Sequence, residues 1–509
     1  MGFFNFPVLA AAVHVLAVLI YFVHPYLSNE PLRRIPGPFL ARFTNIWLFL
    51  QARRGRRFIA VNDAHRRFGP VVRIAPNHVS VVDPDAVNLI YGHGNGFTKS
   101  DFYDAFVSLR PGLFSTRNRA DHTRKRKVVS HLFSAKSTLE FEPFVKSTIE
   151  ALLRQWDGLS HSAGGSYAPI DALDWCNWVA FDCIGDLAFG APFGMTRNSS
   201  STAEFRDARN PLAPITTANA VDALEKRGYL TCSLGCMIQL KSWAKWIPAN
   251  RMTPDPVFQQ GLYAMDTVNG IGAARVDERI AKPSQRTDLL TKLMEARDEN
   301  GKPLSREELI SEALTQVVAG ADTTSNSLCP IIFYIARDAV VQKKLHAELD
   351  HELGDLDGVP EYSQIKNLPY LWNVVKEGLR LHTTSALGLA REIPRGSSCT
   401  VQGHHFPERT ILSIPSWTMH HDPDIWGPDA MEYRPERFDY LTTEQKKAFN
   451  PFSFGPRACS GRNLAEMETL LVVATIFKRY SFECYQEELV TTEGFLHKPL
   501  GCSLGIRRR

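Results

Sequence analysis

The chain has 509 residues, 44% hydrophobic and 22% charged, which is typical of globular proteins. A net charge of only +4 excludes the strongly basic nucleic-acid-binding class, and we expect no nucleic-acid partner. Nine scattered cysteines favour a reduced, cytosol-facing protein over a disulfide framework.

The amino terminus is apolar, and residues 3–27 carry no formal charge. About 20 such residues in a helix span the hydrocarbon core of a membrane. A cleaved signal peptide is the alternative, but no basic segment precedes the run, whereas Arg33 and Arg34 follow it. We predict a single-pass membrane anchor over residues 1–28 and a proline-containing hinge over 29–38, which ends in "RIPGP".

The remaining chain predicts one mainly α domain with minor β structure. Residues 71–82 alternate like two strands joined by a Pro-Asn turn, and helical patterns dominate from about residue 120. One helix opens at Ser305 with Glu308 as a predicted capping box, and short strands follow residue 390. The glycine-rich stretch 92–100 lacks the glycine that a phosphate loop needs before its lysine, and favours a surface or substrate loop.

The stretch "AGADTTSN" (319–326) lies inside a predicted long helix. Gly320 costs a helix about 1 kcal/mol relative to alanine, and the Thr323 hydroxyl can reach the carbonyl four residues earlier. Pro330 is a further helix breaker. We predict local strain beside Asp322 and Thr323, and these residues alone leave a functional pair and a solvated kink equally open.

In "EGLR" (377–380), a spacing of three places Glu377 and Arg380 on one helical face. Such pairs contribute little when they are exposed. Because the flanking helix is apolar, we predict partial burial, which requires further partners. Arg437 in "RPERF" (434–438) is the candidate.

The stretch "PFSFGPRACSG" (451–461) presents one cysteine, Cys459, directly before a helical pattern. It could be a core residue, a nucleophile or a metal ligand. A core residue does not require Gly455 and Gly461 nearby, and a nucleophile needs a base that the sequence does not locate. A thiolate at a helix amino terminus is stabilised by backbone N–H groups and the helix dipole, which favours an axial metal ligand.

Taken together, these segments resemble the cytochrome P450 family. Residues 452–461 match F-x-x-G-x-R-x-C-x-G, and A-G-x-D-T-T (319–324), E-x-x-R (377–380) and P-E-R-F (435–438) occur in the family's order. The resemblance covers essentially the whole chain. It implies a mainly α P450 fold with minor β structure, preceded by a transmembrane helix, with residues 39–509 as the catalytic domain.

The resemblance also implies residue roles. Cys459 would give its thiolate to the iron of haem b, and Asp322 and Thr323 would relay protons on the distal face. Glu377, Arg380 and Arg437 would form a structural salt-bridge lock. The implied haem contacts are Phe452 near the sulfur, Arg457, Arg391, Arg126, Gly461, and His122 in place of the family's usual tryptophan.

Residues 91–108, 118–134, 186–195 and 384–394 resemble the fungal benzoate 4-monooxygenases more specifically, although Ala390 replaces an expected proline. This implies para-hydroxylation of benzoate to 4-hydroxybenzoate with O2 and NADPH-derived electrons. A P450 reductase would be the partner, at the endoplasmic reticulum membrane with the catalytic domain facing the cytosol. The alternative is a P450 that acts on another small aromatic or secondary-metabolite substrate.

A buried benzoate carboxylate needs a cation or several hydrogen-bond donors. We expect these donors near residues 98–110 or 383–384. The substrate candidates are Lys99, Ser100, Tyr103, Arg110, Thr383 and Thr384.

Two rival functions would use haem without hydroxylating a substrate: a haem-thiolate sensor and a redox-silent isomerase. A sensor needs no proton relay, so Asp322 and Thr323 argue against it. If a reductase docks here, the basic run of Arg124, Lys125 and Lys127 is a candidate surface for an acidic partner.

Overall fold

The computed structural model describes residues 30–244, 255–283, 286, 288–298 and 300–509. The predicted anchor over residues 1–28 lies outside these ranges, as does the first residue of the predicted hinge. No helix in the described ranges is both long enough and apolar enough to cross a membrane.

Helices dominate the described chain, as the sequence predicts. Helices α1 to α7 are Glu30–Arg33, Ile46–Arg53, Arg57–Phe68, Pro84–Tyr91, Arg119–Ser130, Ala135–Glu140 and Glu142–Ser162. Helices α8 to α14 are Ala172–Phe189, Met195–Asn198, Ala220–Cys236, Gln239–Ala244, Pro256–Ala281, Leu289–Glu295 and Arg306–Arg337. Helices α15 to α21 are Ala339–Leu353, Tyr362–Ile365, Pro369–Leu381, Ser416–His420, Pro423–Trp426, Thr443–Ala448 and Arg462–Arg479. Short 3-10 turns are Phe39–Arg42, Asp101–Phe106, Pro435–Asp439 and Gly455–Arg457.

The strands are short and form small sheets. Strands β1 to β7 are Val71–Ala75, His78–Val81, Thr98–Lys99, Ala168–Asp171, Thr202–Phe205, Thr216–Asn219 and Arg391–Glu392. Strands β8 to β14 are Cys399–Val401, His404–Phe406, Ile411–Ser413, Tyr480–Cys484, Thr491–Glu493, His497–Pro499 and Ser503–Arg508. The largest sheet has the order β1-β2-β10-β7-β3, and its β1–β2 hairpin confirms the prediction for residues 71–82.

Helix α14 runs through the middle of the main apolar cluster, which also includes faces of α7, α8, α12, α15, α17 and α21. Its Ser305 N-cap accepts a hydrogen bond from the Glu308 backbone at 3.2 Å. The other half of the predicted capping box is not formed, because the Glu308 carboxylate instead accepts hydrogen bonds from Arg124 and Lys125.

The predicted distortion of this helix is only local. The helix continues without a break through Gly320 and Pro330, although Thr323 Oγ1 does donate to the Ala319 carbonyl at 2.5 Å. Gly320 has a packing reason, because a Cβ atom there would lie 2.6 Å from the Ile184 side chain of α8. Close approach of the two helices therefore explains this glycine.

The predicted salt-bridge lock is present and completely buried. Arg380 donates to both carboxylate oxygens of Glu377, at 2.7 and 2.8 Å, and Arg437 donates to the same carboxylate at 3.3 Å. Arg380 also donates to the carbonyls of His420 and Ala430, both at 2.7 Å. Removing one partner from such a buried network costs about 3–5 kcal/mol. The lock therefore fixes α17 against the coil that leads to Cys459.

Candidate active site

The loop before α21 presents Cys459 through tight backbone turns. The Cys459 N–H donates to the Phe452 carbonyl at 2.9 Å, and the Ala458 N–H donates to the Gly455 carbonyl at 3.0 Å. Gly455 has φ 72°, and a Cβ atom there would lie 1.9 Å from the Tyr91 carbonyl oxygen. The loop can therefore pack against α4 only with glycine at this position.

The Cys459 side chain is accessible and lines a cavity between its own loop and α14. Burial raises the pKa of the Cys459 thiol, while the Gly461 backbone N–H and the charges of Arg126 and Arg462 oppose that rise. A metal cation that replaced the proton would remove the cost of burying the thiolate. The site thus suits a metal-bound sulfur better than a free one.

The cavity beside Cys459, with the part of it that opens to solvent, measures about 1830 Å³. The cysteine loop contributes Phe452, Cys459 and Gly461, and α14 contributes Ala319, Gly320 and Thr323 to its walls. A Cβ atom at Gly461 would meet no other protein atom within 4 Å. Protein packing does not require this glycine, so it leaves backbone open to whatever occupies the cavity.

Basic side chains gather around this cavity, and the two glutamates that also line it, Glu466 and Glu468, are not their ion-pair partners. Lys99, His122, Arg126 and Arg457 line it, and none of them forms an ion pair with a carboxylate of the described residues. Burial, followed by the charges of Arg391 and Arg457, lowers the pKa of Lys99 well below its usual value. Burial and the charges of Arg457 and Lys99 lower the pKa of His122 to about 3. An anionic ligand would relieve this repulsion.

Asp322 and Thr323 lie where α14 faces the interior. Thr323 lines the cavity beside Cys459, and both residues line a second, adjoining chamber. The Asp322 carboxylate accepts a hydrogen bond from Asn326 Nδ2 at 2.9 Å. The predicted carboxylate and hydroxyl are therefore brought together at the boundary between the two spaces.

The second chamber, with the part of it that opens to solvent, measures about 860 Å³. Phe106, Phe114 and Phe495 supply aromatic walls, and Arg227 and Asn269 supply polar groups. The chamber shares six lining residues with the larger cavity: Phe114, Thr315, Ala319, Thr323, Phe495 and Leu496. An apolar ring can be accommodated in the chamber next to the face of α14 that carries Thr323.

A family model described as cytochrome P450 matches residues 36–504 of the chain. The chain is a cytochrome P450 monooxygenase. It is 49% identical over 503 residues to benzoate 4-monooxygenase bphA from Aspergillus niger, an alignment that covers 97% of this chain and 96% of that protein. It is 28% identical to cytochrome P450 monooxygenase gsfF from Penicillium aethiopicum, in an alignment that covers 97% of this chain and 98% of that protein. It is also 28% identical to pisatin demethylase from Fusarium vanettenii, in an alignment that covers 91% of this chain and 88% of that protein.

The P450 family implies a haem-thiolate iron and the use of O2, and the residues of this chain fit that group. The cavity presents one accessible thiol, the open backbone at Gly461 and a set of cations that match two propionates. In such a site Cys459 would hold the iron, and Arg126, Arg457, His122 and Lys99 would face the anionic edge of the macrocycle.

This cation set differs from the predicted set in two residues. Arg391, a predicted propionate partner, does not line the cavity; it donates to Tyr103 Oη at 3.0 Å and lies over the Tyr91 ring. Lys99, predicted to bind substrate, lies among the basic side chains that line the cavity and donates to the Phe114 carbonyl. Strand pairing of β3 with β7, which sequence motifs do not encode, places the two residues side by side.

The other predicted substrate residues of the P450 are dispersed. Arg110 lines the second chamber, but it is exposed. Thr384 lines the larger cavity, and its hydroxyl forms a hydrogen bond with Ser327 Oγ at 2.9 Å. Ser100, Tyr103 and Thr383 are buried and line neither space. Arg227 was not predicted as a site residue, because "EKRG" (225–228) is typical of an ordinary polar helical surface.

The basic run predicted as a docking surface is mostly neutralised. Lys125 is buried, with its amino group 2.6 Å from Glu312 and 3.0 Å from Glu308. Arg124 pairs with Asp121 at 2.7 Å, whereas Lys127 is exposed. The run therefore offers one exposed charge rather than three, and two of its cations instead tie α5 to α14.

Proposed function

We propose that this P450 hydroxylates benzoate at the para carbon and releases 4-hydroxybenzoate. The observation that carries the proposal is 49% identity, over nearly the whole of both chains, to a benzoate 4-monooxygenase. The aromatic chamber beside Thr323 supports it, since a single small ring suits a space walled by phenylalanines. The relatives at 28% identity are too distant to favour another substrate.

Haem, when bound, supplies the activation of O2 that inserts one oxygen atom into a C–H bond. The residues of the chain supply binding, position and protons. Cys459 would hold the iron, and the chamber walls would fix the orientation of the ring. The Thr323 hydroxyl and the Asp322 carboxylate can pass protons from the second chamber into the larger cavity, because Thr323 borders both.

We further propose that electrons reach the haem from NADPH through a P450 reductase. Residues 1–28 would anchor the enzyme in the endoplasmic reticulum membrane, with the catalytic domain in the cytosol. The apolar run over residues 3–27 and the arginines that follow it support this orientation.

Titration of the ferric, haem-loaded protein with benzoate tests the substrate. We expect a saturable shift of the haem absorption band toward the high-spin form, because a ring held beside the iron displaces its bound water. Benzamide, a neutral molecule of the same shape, is the matched ligand. An intact thiolate-haem spectrum with no shift at any benzoate concentration would contradict the proposal and direct the search to other small aromatic or secondary-metabolite substrates.

A further inference from the structure

Arg227 occupies an unusual position for an arginine. It lies in the middle of α10, half-buried, and its side chain lines the second chamber. Asn269, on the neighbouring helix α12, lines the same chamber and is only 6% exposed. A guanidinium and an amide on two packed helices therefore line the same chamber.

Neither side chain forms a hydrogen bond or an ion pair with the described residues around it. The Arg227 guanidinium forms no hydrogen bond and no ion pair with the described residues, and its Nε is buried without an acceptor. The Asn269 amide likewise forms no side-chain hydrogen bond within the described ranges. Arg306, by comparison, is held by Asp277 at 2.7 and 2.8 Å. A buried polar group without a partner is costly, so an acceptor from a ligand would complete this pair.

Arg227 stays charged at neutral pH. Burial lowers its pKa to about 10, while the negative charge of Asp322 acts in the opposite direction. Its planar guanidinium suits a carboxylate, to which it can donate two parallel hydrogen bonds. The chamber therefore contains a fixed positive charge next to aromatic walls.

Other cations near the chamber are less suited to this role. Lys99 lines the cavity beside Cys459, not the chamber, and donates to the Phe114 carbonyl. The side chain of Arg110 is exposed, so its charge is solvated and would add little to the affinity for an anion. Among the described residues that line the chamber, Arg227 is the cation that is partly buried and forms no ion pair.

We infer that Arg227 binds the carboxylate of the aromatic acid substrate and that the Asn269 amide donates a second hydrogen bond to it. The inference rests on the proposed function and names the residues that recognise its substrate. Arg227 lines the chamber but not the cavity that contains Cys459. A carboxylate held by Arg227 leaves the far end of the ring, the para carbon, directed toward the shared wall at Thr323. Regioselectivity thus follows from where the anion is held.

The test compares benzoate and benzamide titrations of the ferric haem protein in four forms: wild type, Arg227→Gln, Arg227→Lys and Lys226→Gln. Lys226 is the matched control, since it is the adjacent cation on the same helix and pairs with Asp222 at 2.8 Å at the surface. We expect Arg227→Gln to weaken benzoate binding by about 10- to 100-fold, because a charged hydrogen-bond partner is lost. Benzamide binding should change by less than about threefold, and Lys226→Gln should match the wild type.

The outcomes separate this inference from the proposed function. Wild-type affinity for benzoate in Arg227→Gln overturns the role of Arg227 and leaves the substrate proposal standing. Absence of any benzoate shift in the wild type overturns the substrate proposal and this inference with it. If Arg227→Gln fails to incorporate haem, the Arg227→Lys variant is the test. Lysine carries a point charge without the planar guanidinium, so this variant should bind benzoate more weakly than the wild type. Unchanged affinity in that variant also overturns the inference.

Discussion

Two glycines of the cysteine loop, six positions apart, serve different partners. At Gly455 a side chain is excluded by the protein, because φ is 72° and the Tyr91 carbonyl oxygen lies 1.9 Å from the position of a Cβ atom. At Gly461 the backbone is ordinary, with φ −87°, and no protein atom lies within 4 Å of that position. The first glycine is explained by folding and the second by a ligand that lies against it.

Alanine substitutions separate these two roles. Gly455→Ala should destabilise the chain by about 1–3 kcal/mol, through strain and overpacking, with or without haem. Gly461→Ala should change the stability of the haem-free chain by less than about 0.5 kcal/mol, yet lower the fraction that retains haem. Urea unfolding measures the stability of the haem-free chain, and haem absorbance measures the fraction of the chain that retains haem. Equal destabilisation of the haem-free chain by the two changes, or full haem retention in Gly461→Ala, would contradict this account.

Sequence motifs single out individual residues, and the fold decides which other residues lie beside them. Cys459, Asp322 and Thr323 could be named from the sequence, and the structure brings them to one pair of connected spaces. Arg227 could not be named, because its importance comes from the absence of a partner, which only packed helices reveal. Tertiary pairing also decided that Lys99 rather than Arg391 lines the cavity.

At the scale of elements, the lock joins α17 to the short helix α18. Thr383, predicted to contact substrate, instead accepts a hydrogen bond from His420 Nδ1 at 2.7 Å and donates to the Arg380 carbonyl at 3.0 Å. The other ring nitrogen of His420 accepts from the Asn450 N–H at 3.2 Å. His420 therefore has to stay neutral to link α17, α18 and the segment before the cysteine loop.

This arrangement predicts acid sensitivity. Burial and the charge of Arg380 lower the pKa of His420 to about 3, below its unfolded value of about 6.5. Between about pH 3 and pH 6.5 His420 therefore binds a proton in the unfolded chain but not in the folded chain. The contribution of neutral His420 to stability is complete above about pH 6.5 and is lost as the pH falls. Between pH 7.5 and 5.5, His420 should account for a loss of about 1 kcal/mol in the free energy of unfolding.

The His420→Asn variant should show a correspondingly smaller loss of stability over that pH range. His351→Asn is the control, because its side chain is 83% exposed. Urea unfolding at the two pH values, followed by tryptophan fluorescence, measures the difference. An identical pH dependence in wild type and His420→Asn would show that His420 is not the titrating group.

At the scale of the whole molecule, the fold holds two spaces side by side along α14. One contains the thiol and basic side chains without ion-pair partners, which suit haem, and the other contains aromatic walls and a half-buried arginine, which suit an aromatic acid. The mainly α class, the strand hairpin and the order of motifs could be read from the sequence, because they depend on local patterns. The chamber could not, because loops and helices distant in sequence, such as residues 106–115, 224–231 and 495–496, build its walls.

The central claim is that this architecture directs one oxygen atom to the carbon opposite the carboxylate. The most direct measurement supplies the haem-loaded enzyme with a P450 reductase, NADPH, benzoate and ¹⁸O2, and separates the hydroxybenzoate isomers by mass-resolved chromatography. We predict 4-hydroxybenzoate carrying one ¹⁸O atom, formed only when both NADPH and reductase are present. A mixture of ring isomers, or no labelled product from an enzyme that binds benzoate and oxidises NADPH, would contradict it.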